Sequence, residues 1–233
     1  MHDSAFGRLL GVLVSPGQTF RSIAARPTVW AALLVLVLST LGGGLLAAPR
    51  IDYEDIIRKQ VAKSGRDVPQ EQLDKQIEVT QKIRTPLIIA QVVFVPIFLC
   101  LVTLFPWAIF KLLGSEVDYV RSLSVTAHAW MPQVVSALLS IPVILSRPSL
   151  GYEDTRNGFL KSNLGAFMST PEMSAPLTAV LSSLDVFSLW TLILFILGFK
   201  EVAKVSMAKA AGTMIILWLL FVGIKVGFAA VFG

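Results

Sequence analysis

The sequence predicts an all-α membrane protein, a bundle of five transmembrane helices with a short interfacial helix at the N-terminus. Of its 233 residues, 55% are hydrophobic and only 15% are charged, and the mean hydropathy is +0.72. Soluble domains carry about 25% charged residues, so long stretches of this chain are not built to face water. The run at 177–200 is long enough to cross a bilayer core of about 30 Å.

Five apolar stretches have the length of a transmembrane helix, and polar or turn-rich segments separate them. The predicted spans are residues 27–48, 86–113, 121–145, 177–199 and 210–231. The second and third spans contain four prolines: Pro96, Pro106, Pro132 and Pro142. Proline bends a helix in lipid where neighbouring groups satisfy the freed carbonyls, so we expect kinks there. Residues 27–233 are thus predicted to form one membrane domain.

Residues 1–26 predict a short amphipathic segment ahead of the first span. Its apolar residues at helical spacing, with Arg8 outside the set, are Phe6, Leu9, Leu10 and Leu13. Ser15 is a suitable N-cap, and Pro16 a suitable first residue, for a second short helix. The segment is expected to lie in the membrane interface or to pack against the bundle, and the sequence leaves both open.

The largest polar segment, residues 49–85, is expected to form an extramembrane loop with two helices, at about 53–64 and 68–84. Its acidic residues are interleaved with Lys and Arg, which is typical of a solvated helix face. Their spacing matches neither an acid–base pair nor a metal site. The loop is therefore interpreted as a solvated structure without a catalytic role.

No residue pattern predicts catalysis, a cofactor or a metal site. Cys100 is the only cysteine, so the chain can form neither an internal disulfide nor a thiolate metal cluster. A nucleophilic-serine motif, a catalytic aspartate pair and a zinc-binding histidine pair are all missing from the sequence. The net charge of +5 comes from basic residues scattered through connecting segments. This distribution is typical of membrane flanks and argues against nucleic acid as a partner.

Two charged residues, Asp185 and Lys225, lie inside predicted spans, where ionisable groups are costly and are usually paired. At helical rise they lie about 12 and 9 Å below the same end of two antiparallel helices, so an intramembrane ion pair is the leading hypothesis. Two alternatives stay open. Lys225 could extend alone to the interface, and Asp185 could bond to Ser182, Ser183 or a kinked backbone.

His128 and Gln133 are the polar members of the third predicted span. A lone imidazole in an apolar helix is more typical of a hydrogen-bonded packing group than of a ligand. Both residues would become candidates for a solute pathway only if the protein were a transporter.

The orientation of the spans rests on a small charge asymmetry. Lys and Arg are about equally dense on the two sides, so the positive-inside rule does not decide by itself. The compact basic loop with Lys200, Lys204 and Lys209, together with Arg21 and Arg26 before the first span, favours a cytoplasmic N-terminus and an external C-terminus.

Three stretches carry a distinctive set of residues in a fixed order. The first leads into the first predicted span, the second joins the second span to the third, and the third runs from 184 to 210. The residues that mark them are Pro16, Phe20, Pro27, Gly114, Pro132, Asp185, Phe187, Trp190, Gly198 and Ser206. In this combination the chain resembles the Yip family, the Ypt/Rab-interacting integral membrane proteins, over nearly its whole length outside residues 49–85.

The resemblance implies a five-helix domain with a cytosolic N-terminus, in agreement with the charges. In eukaryotes the family is tied to Rab GTPases and early secretory traffic. This chain lacks the long polar N-terminal arm of those members and is similar to the short bacterial members. The resemblance therefore implies a bacterial inner membrane and protein partners within the bilayer, and it makes a Rab GTPase partner doubtful.

The function expected from these observations is that of a non-enzymatic membrane scaffold, adaptor or membrane-organising factor related to trafficking. The competing hypothesis is a small-solute or ion transporter that uses polar groups in kinked helices. Five spans without an evident inverted repeat argue against it.

Overall fold

The structure, a computed structural model, describes residues 4–65, 67–168, 170 and 173–232. Its regular elements in these ranges are α-helices, with one 3₁₀ turn at Ala48–Arg50 and two isolated β-bridges. The helices are α1 (Ala5–Val14), α2 (Pro16–Ala25), α3 (Trp30–Ala47), α4 (Tyr53–Ser64), α5 (Gln70–Leu112), α6 (Tyr119–Ala129), α7 (Met131–Ser146), α8 (Tyr152–Asn157), α9 (Gly165–Met168), α10 (Ala175–Ser183), α11 (Val186–Ala203) and α12 (Met207–Phe232).

Five helical stretches of the described chain are long and apolar enough to cross a membrane. They are Trp30–Arg50, Gln70–Leu112, Tyr119–Ser146, Val186–Ala203 and Met207–Val231. The predicted fold class, an all-α membrane protein with five spans, is confirmed.

The second span differs from the prediction because it has no break at the membrane surface. The helix predicted at 68–84 and the span predicted from Pro86 form the single 43-residue helix α5. Residues 70–85 contain neither glycine nor proline, so nothing in the sequence stops a helix there. Pro86, Pro96 and Pro106 all lie within α5 and do not end it.

The third span is two helices, α6 and α7, that meet at Trp130. Pro132 is the second residue of α7 and has no N–H to donate to the carbonyl four residues earlier, which belongs to His128. The Trp130 N–H donates to that carbonyl instead. The predicted kink thus takes the form of a helix break.

The fourth span begins later than predicted. The stretch 177–199 was expected to be one helix, but Leu184 and Asp185 separate α10 from α11. At the break the Leu164 N–H donates to the Leu184 carbonyl (3.2 Å) and the Val186 N–H to the Ser162 carbonyl (3.1 Å). Pairing with a neighbouring segment therefore ends the helix, and the span itself is Val186–Ala203.

The chain divides into two compact units. The first unit comprises residues 1–39, 92–135 and 187–221. Its core includes Phe20, Phe110 and Phe199, all fully buried, and the rings of Phe110 and Phe199 stack with their centroids 5.2 Å apart.

The second unit comprises residues 40–91, 136–186 and 222–233. It has two smaller apolar clusters, around Leu150 and around Ile57. The helix predicted at 53–64 is α4. α4 ends at Gly65, whose φ of 65° lies in the left-handed region that glycine adopts without strain. The Asp55 Oδ2 of α4 accepts a hydrogen bond (2.9 Å) from the Tyr152 N–H at the start of α8.

One glycine of the first unit sits where no side chain fits. A Cβ built on Gly198 of α11 would lie 2.4 Å from Val125 Cγ1 of α6 and 3.0 Å from Phe20 Cε1 of α2. Real Cβ atoms do not approach neighbours so closely, so three helices meet here only because Gly198 has no side chain.

We expect Gly198→Ala to lower the stability of the detergent-solubilised protein by about 1–3 kcal/mol, the usual cost of overpacking a core. Gly212→Ala is the matched control, because nothing lies within 4 Å of the Cβ built on Gly212 in α12. Thermal unfolding of the two variants provides the comparison, and equal melting temperatures would contradict this account of the packing.

A second prediction concerns the Asp55 carboxylate. A hydrogen bond from the Lys59 side chain and another from the Tyr152 backbone N–H hold the pKa of Asp55 below its ordinary value of 3.8. A lowered pKa in the folded state stabilises the protein above the unfolded-state value, and this contribution disappears as the pH falls through the folded-state pKa.

The stability difference between wild type and Asp55→Asn should accordingly be largest at neutral pH and shrink below about pH 4. Thermal unfolding from pH 7 down to pH 2.5 measures it. Glu71→Gln, which removes an exposed acid at the start of α5, is the control for the loss of one negative charge. The prediction is wrong if the stability difference from the wild type does not change with pH for either variant.

Candidate functional site

Nine of the ten residues marked by the sequence lie in the first unit, which also contains the turn that joins α2 to α3. Carbonyls at the C-terminal end of a helix have no partner within the helix. Here the carbonyl of Ala24 near the end of α2, and those of Arg26 and Thr28 in the turn that follows, accept hydrogen bonds from side chains of other helices. We call these carbonyls, with the side chains of Arg8, Arg121 and Ser124 that bind them, the N-terminal dock.

Each donor of the N-terminal dock comes from α1 or α6. Arg8 Nη1 donates to the Arg26 carbonyl (2.6 Å) and to Thr28 Oγ1 (3.1 Å). Arg121 Nε donates to the Ala24 carbonyl (2.8 Å), and Ser124 Oγ donates to the Thr28 carbonyl (2.5 Å). The turn is therefore held on one side by α1 and on the other by α6.

The electrostatics of the N-terminal dock favour this arrangement. Arg8 is only 2% exposed, and a buried guanidinium needs compensation. The C-terminal end of α2 supplies it, because aligned peptide dipoles leave partial negative charge on the last carbonyls. Backbone carbonyls are also a usual partner for charged side chains in membrane proteins.

Asp118, at the start of α6, belongs to the same region. Its carboxylate accepts from the Arg121 backbone N–H (2.8 Å) and forms an ion pair with the Arg121 guanidinium. Partial burial acts to raise the pKa of Asp118, but the two contacts with Arg121 outweigh it and hold the pKa below its ordinary value. The ionised Asp118 orients the guanidinium that binds α2.

His128 lies one turn beyond Ser124 and is 1% exposed. Its Nδ1 is 2.8 Å from the Ser124 carbonyl, so Nδ1 carries the hydrogen and Nε2 bears the lone pair. Nε2 is buried and has no hydrogen-bond partner among the described residues. In the described part of the chain, His, Cys, Asp and Glu form no cluster of three that could hold a metal ion.

Gln133 contacts another helix of the first unit. Its Nε2 donates to Thr191 Oγ1 of α11 at 3.3 Å. Gln133 therefore joins α7 to α11, whereas the hydrogen bond of His128 stays within α6. The interpretation of His128 as a packing group stays a prediction.

Three of the other marked residues begin, end or cap helices. Pro16 opens α2. Gly114, at φ 82°, ends α5 in a Schellman turn, in which Ser115 N–H donates to the Phe110 carbonyl (2.9 Å) and Gly114 N–H to the Lys111 carbonyl (3.0 Å). Ser206 caps α12 by accepting from the Lys209 N–H (3.2 Å).

The remaining marked residues of the first unit pack its core. Phe20 and Gly198 meet as described above, and Phe187 and Trp190 of α11 lie buried or partly buried. Pro27 lies between the dock carbonyls of Arg26 and Thr28. The sequence had placed Arg8 apart from the apolar face of its helix, whereas Arg8 is buried and Phe6 and Leu10 are exposed.

Sequence reasoning missed the roles of Arg8, Arg121 and Ser115. Ser115 Oγ donates to the Ala203 carbonyl at the end of α11 (2.8 Å). The one available signal was Arg8, a single charge in an otherwise apolar ten-residue helix. The acceptors are backbone carbonyls, which leave no trace in a sequence.

Asp185 and Lys225 lie together in the second unit. Lys225 Nζ of α12 donates to Ser182 Oγ (3.0 Å) and Ser183 Oγ (3.2 Å) at the end of α10. Ser162 Oγ donates to Asp185 Oδ2 (2.5 Å). A direct ion pair between Asp185 and Lys225 stays a prediction.

We expect Asp185→Asn to lower the thermal stability of the solubilised protein, because Asn keeps an oxygen for Ser162 but loses the charge that attracts Lys225. A cycle of Asp185→Asn, Lys225→Met and the double variant isolates the attraction, with an expected coupling of about 0.5–3 kcal/mol. Additive effects of the two substitutions, or no effect of Asp185→Asn alone, would rule out the pair.

Comparison with known proteins covers almost the whole of this architecture. A family model described as the Yip1 domain matches residues 10–228, from α1 to α12. The chain is 23% identical over 204 residues to Membrane protein YknW of Bacillus subtilis (strain 168), an alignment that covers 88% of this chain and 81% of that protein. No solved structure matches the chain. With a family match over both units and all five spans, the chain belongs to the Yip1-domain family of membrane proteins.

Proposed function

We propose that this protein is a non-enzymatic scaffold or adaptor in the membrane, which acts by presenting its helices to protein partners. The proposal rests on the structural roles of the residues marked by the sequence. Nine of them, all except Asp185, lie in the first unit, where they cap helices, close turns and fill the core. Residues with these roles fix how the helices pack, and the packing determines the surface that the unit offers to a partner.

The surface that this architecture offers to partners is largely apolar. α12 is the least buried of the five spans, and α11 is the most buried. Its outward side chains include Ile216, Leu220 and Phe228. A span with so little buried surface has side chains available to contact other membrane helices.

The membrane and orientation that we propose are the bacterial inner membrane with a cytoplasmic N-terminus and an external C-terminus. The basic residues that favour this orientation belong to the first unit. Arg21 of α2 approaches Glu201 near the end of α11 (3.9 Å), which brings the N-terminal helices to the basic loop between α11 and α12. Positive charge is thus concentrated where the rule for cytoplasmic loops expects it. The Bacillus relative supports a bacterial setting.

A transporter remains the second candidate, because of the break between α10 and α11. Discontinuous helices with a charged residue at the break are a recurring feature of transporter binding sites. Asp185 lies at such a break, and Lys225 and two serines lie beside it.

In-membrane crosslinking of the tagged protein in its own host, followed by mass spectrometry, tests the proposal. The expected result is a stoichiometric membrane-protein partner whose yield falls in Gly198→Ala, because the first unit shapes the binding surface. Gly212→Ala should capture the wild-type amount. A co-purifying small molecule with no protein partner, and solute flux in proteoliposomes that is lost in Asp185→Asn, would favour the transporter instead.

A further inference from the structure

The outward surface of α1 is apolar throughout its length. Phe6, Leu10 and Val14 are 63%, 70% and 76% exposed. They are spaced four residues apart and form one stripe along the helix, which we call the outer stripe. Arg8, the only charged residue of α1, lies about 200° around the helix from Phe6 and is 2% exposed. α1 therefore has its charge inside, and the three large apolar side chains of the outer stripe lie outside.

The hydrogen bonds of Arg8 fix the rotation of α1 about its own axis, which we call its roll. Its guanidinium binds the Arg26 carbonyl and Thr28 Oγ1. Leu9 and Val12, on the same side as Arg8, are buried in the core of the first unit. Turning α1 to bring Arg8 to the surface would break these hydrogen bonds and expose both side chains, so the outer stripe cannot turn inward.

The next helix, α2, has the opposite polarity. It buries Phe20 and Ile23 and exposes Gln18 and Arg21, as a helix at the surface of a water-soluble protein does. α1 and α2 follow each other in the chain and belong to the same unit. Two neighbouring helices with opposite polarity face different surroundings.

We infer that the outer stripe contacts lipid acyl chains, so that α1 has this side immersed in one leaflet and no polar face toward water. A helix that lies at the interface has a charged face toward water, and a protein interface has a polar rim. The outward surface of α1 between Phe6 and Val14 has neither. This inference is independent of the scaffold proposal.

The position of Arg8 agrees with the placement of the outer stripe in one leaflet. Arg8 bonds to Thr28, two residues before α3 begins at Trp30. Trp30 is 82% exposed, and exposed tryptophans are enriched at the membrane interface. The middle of α1 thus lies level with the entry of the first span into the membrane.

Collision measurements on a nitroxide label test the contact. The protein with Cys100→Ser carries a single new cysteine, either Leu10→Cys on the outer stripe or Gln18→Cys on the outward face of α2. Each variant is labelled and reconstituted into vesicles of phosphatidylethanolamine and phosphatidylglycerol. Both positions are exposed, so the labels do not disturb the core, and gel filtration checks the fold.

At position 10 we expect frequent collisions with oxygen, which concentrates in lipid, and few with a water-soluble nickel complex. Position 18 should show the reverse. Equal nickel accessibility at both positions would mean that the outer stripe faces water. Low accessibility to both reagents at position 10 would mean that a second copy or another protein covers it. Either result overturns the inference.

A further variant tests the role of Arg8 in fixing the roll. In the Leu10→Cys background, Arg8→Met should give a more mobile spectrum and a lower ratio of oxygen to nickel collisions. An unchanged spectrum would show that Arg8 does not fix the roll, and the comparison of positions 10 and 18 stands whether or not Arg8→Met folds.

Discussion

The first unit depends on the binding of free carbonyls by buried side chains. Carbonyls at the end of a helix have no partner within the helix, and inside a membrane water does not reach them. At the end of α2 and in the turn after it, Arg8, Arg121 and Ser124 bind the carbonyls of Arg26, Ala24 and Thr28. The same hydrogen bonds that satisfy the carbonyls attach the N-terminal helices to α6. One constraint on backbone polarity therefore explains both the buried arginine and the docking of the N-terminal segment.

The same constraint recurs at other helix ends. α5 ends in a Schellman turn at Gly114, and the Lys209 ammonium donates to the Leu113 carbonyl just beyond it (2.9 Å). Ser115 binds the last carbonyl of α11. In the second unit, the break between α10 and α11 is closed by backbone pairing with residues 162–164. Polar side chains such as Ser115 and Lys209 therefore have structural partners at helix ends.

The residues that carry the resemblance to the family have a similar structural explanation. Pro, Gly, Phe and Ser at helix ends and close contacts specify how the helices of the first unit pack together. Asp185 and Lys225 differ from the rest, because they are charged and lie at or beside a helix break. Asp185 directly precedes the fourth span, and Lys225 lies within the fifth. They are the residues on which the transporter alternative depends.

The sequence by itself determined the five-span architecture, because a run of about 20 apolar residues has few other stable arrangements. It also determined α4, whose Asp52 cap and Gly65 terminus are local signals. Only the tertiary structure decided where α10 ends and that Arg8 points inward. Each of these depends on a partner distant in the chain: residues 162–164 for the break, and Arg26 and Thr28 for Arg8. Helical periodicity shows which residues share a face, but it does not show whether that face meets protein, lipid or water.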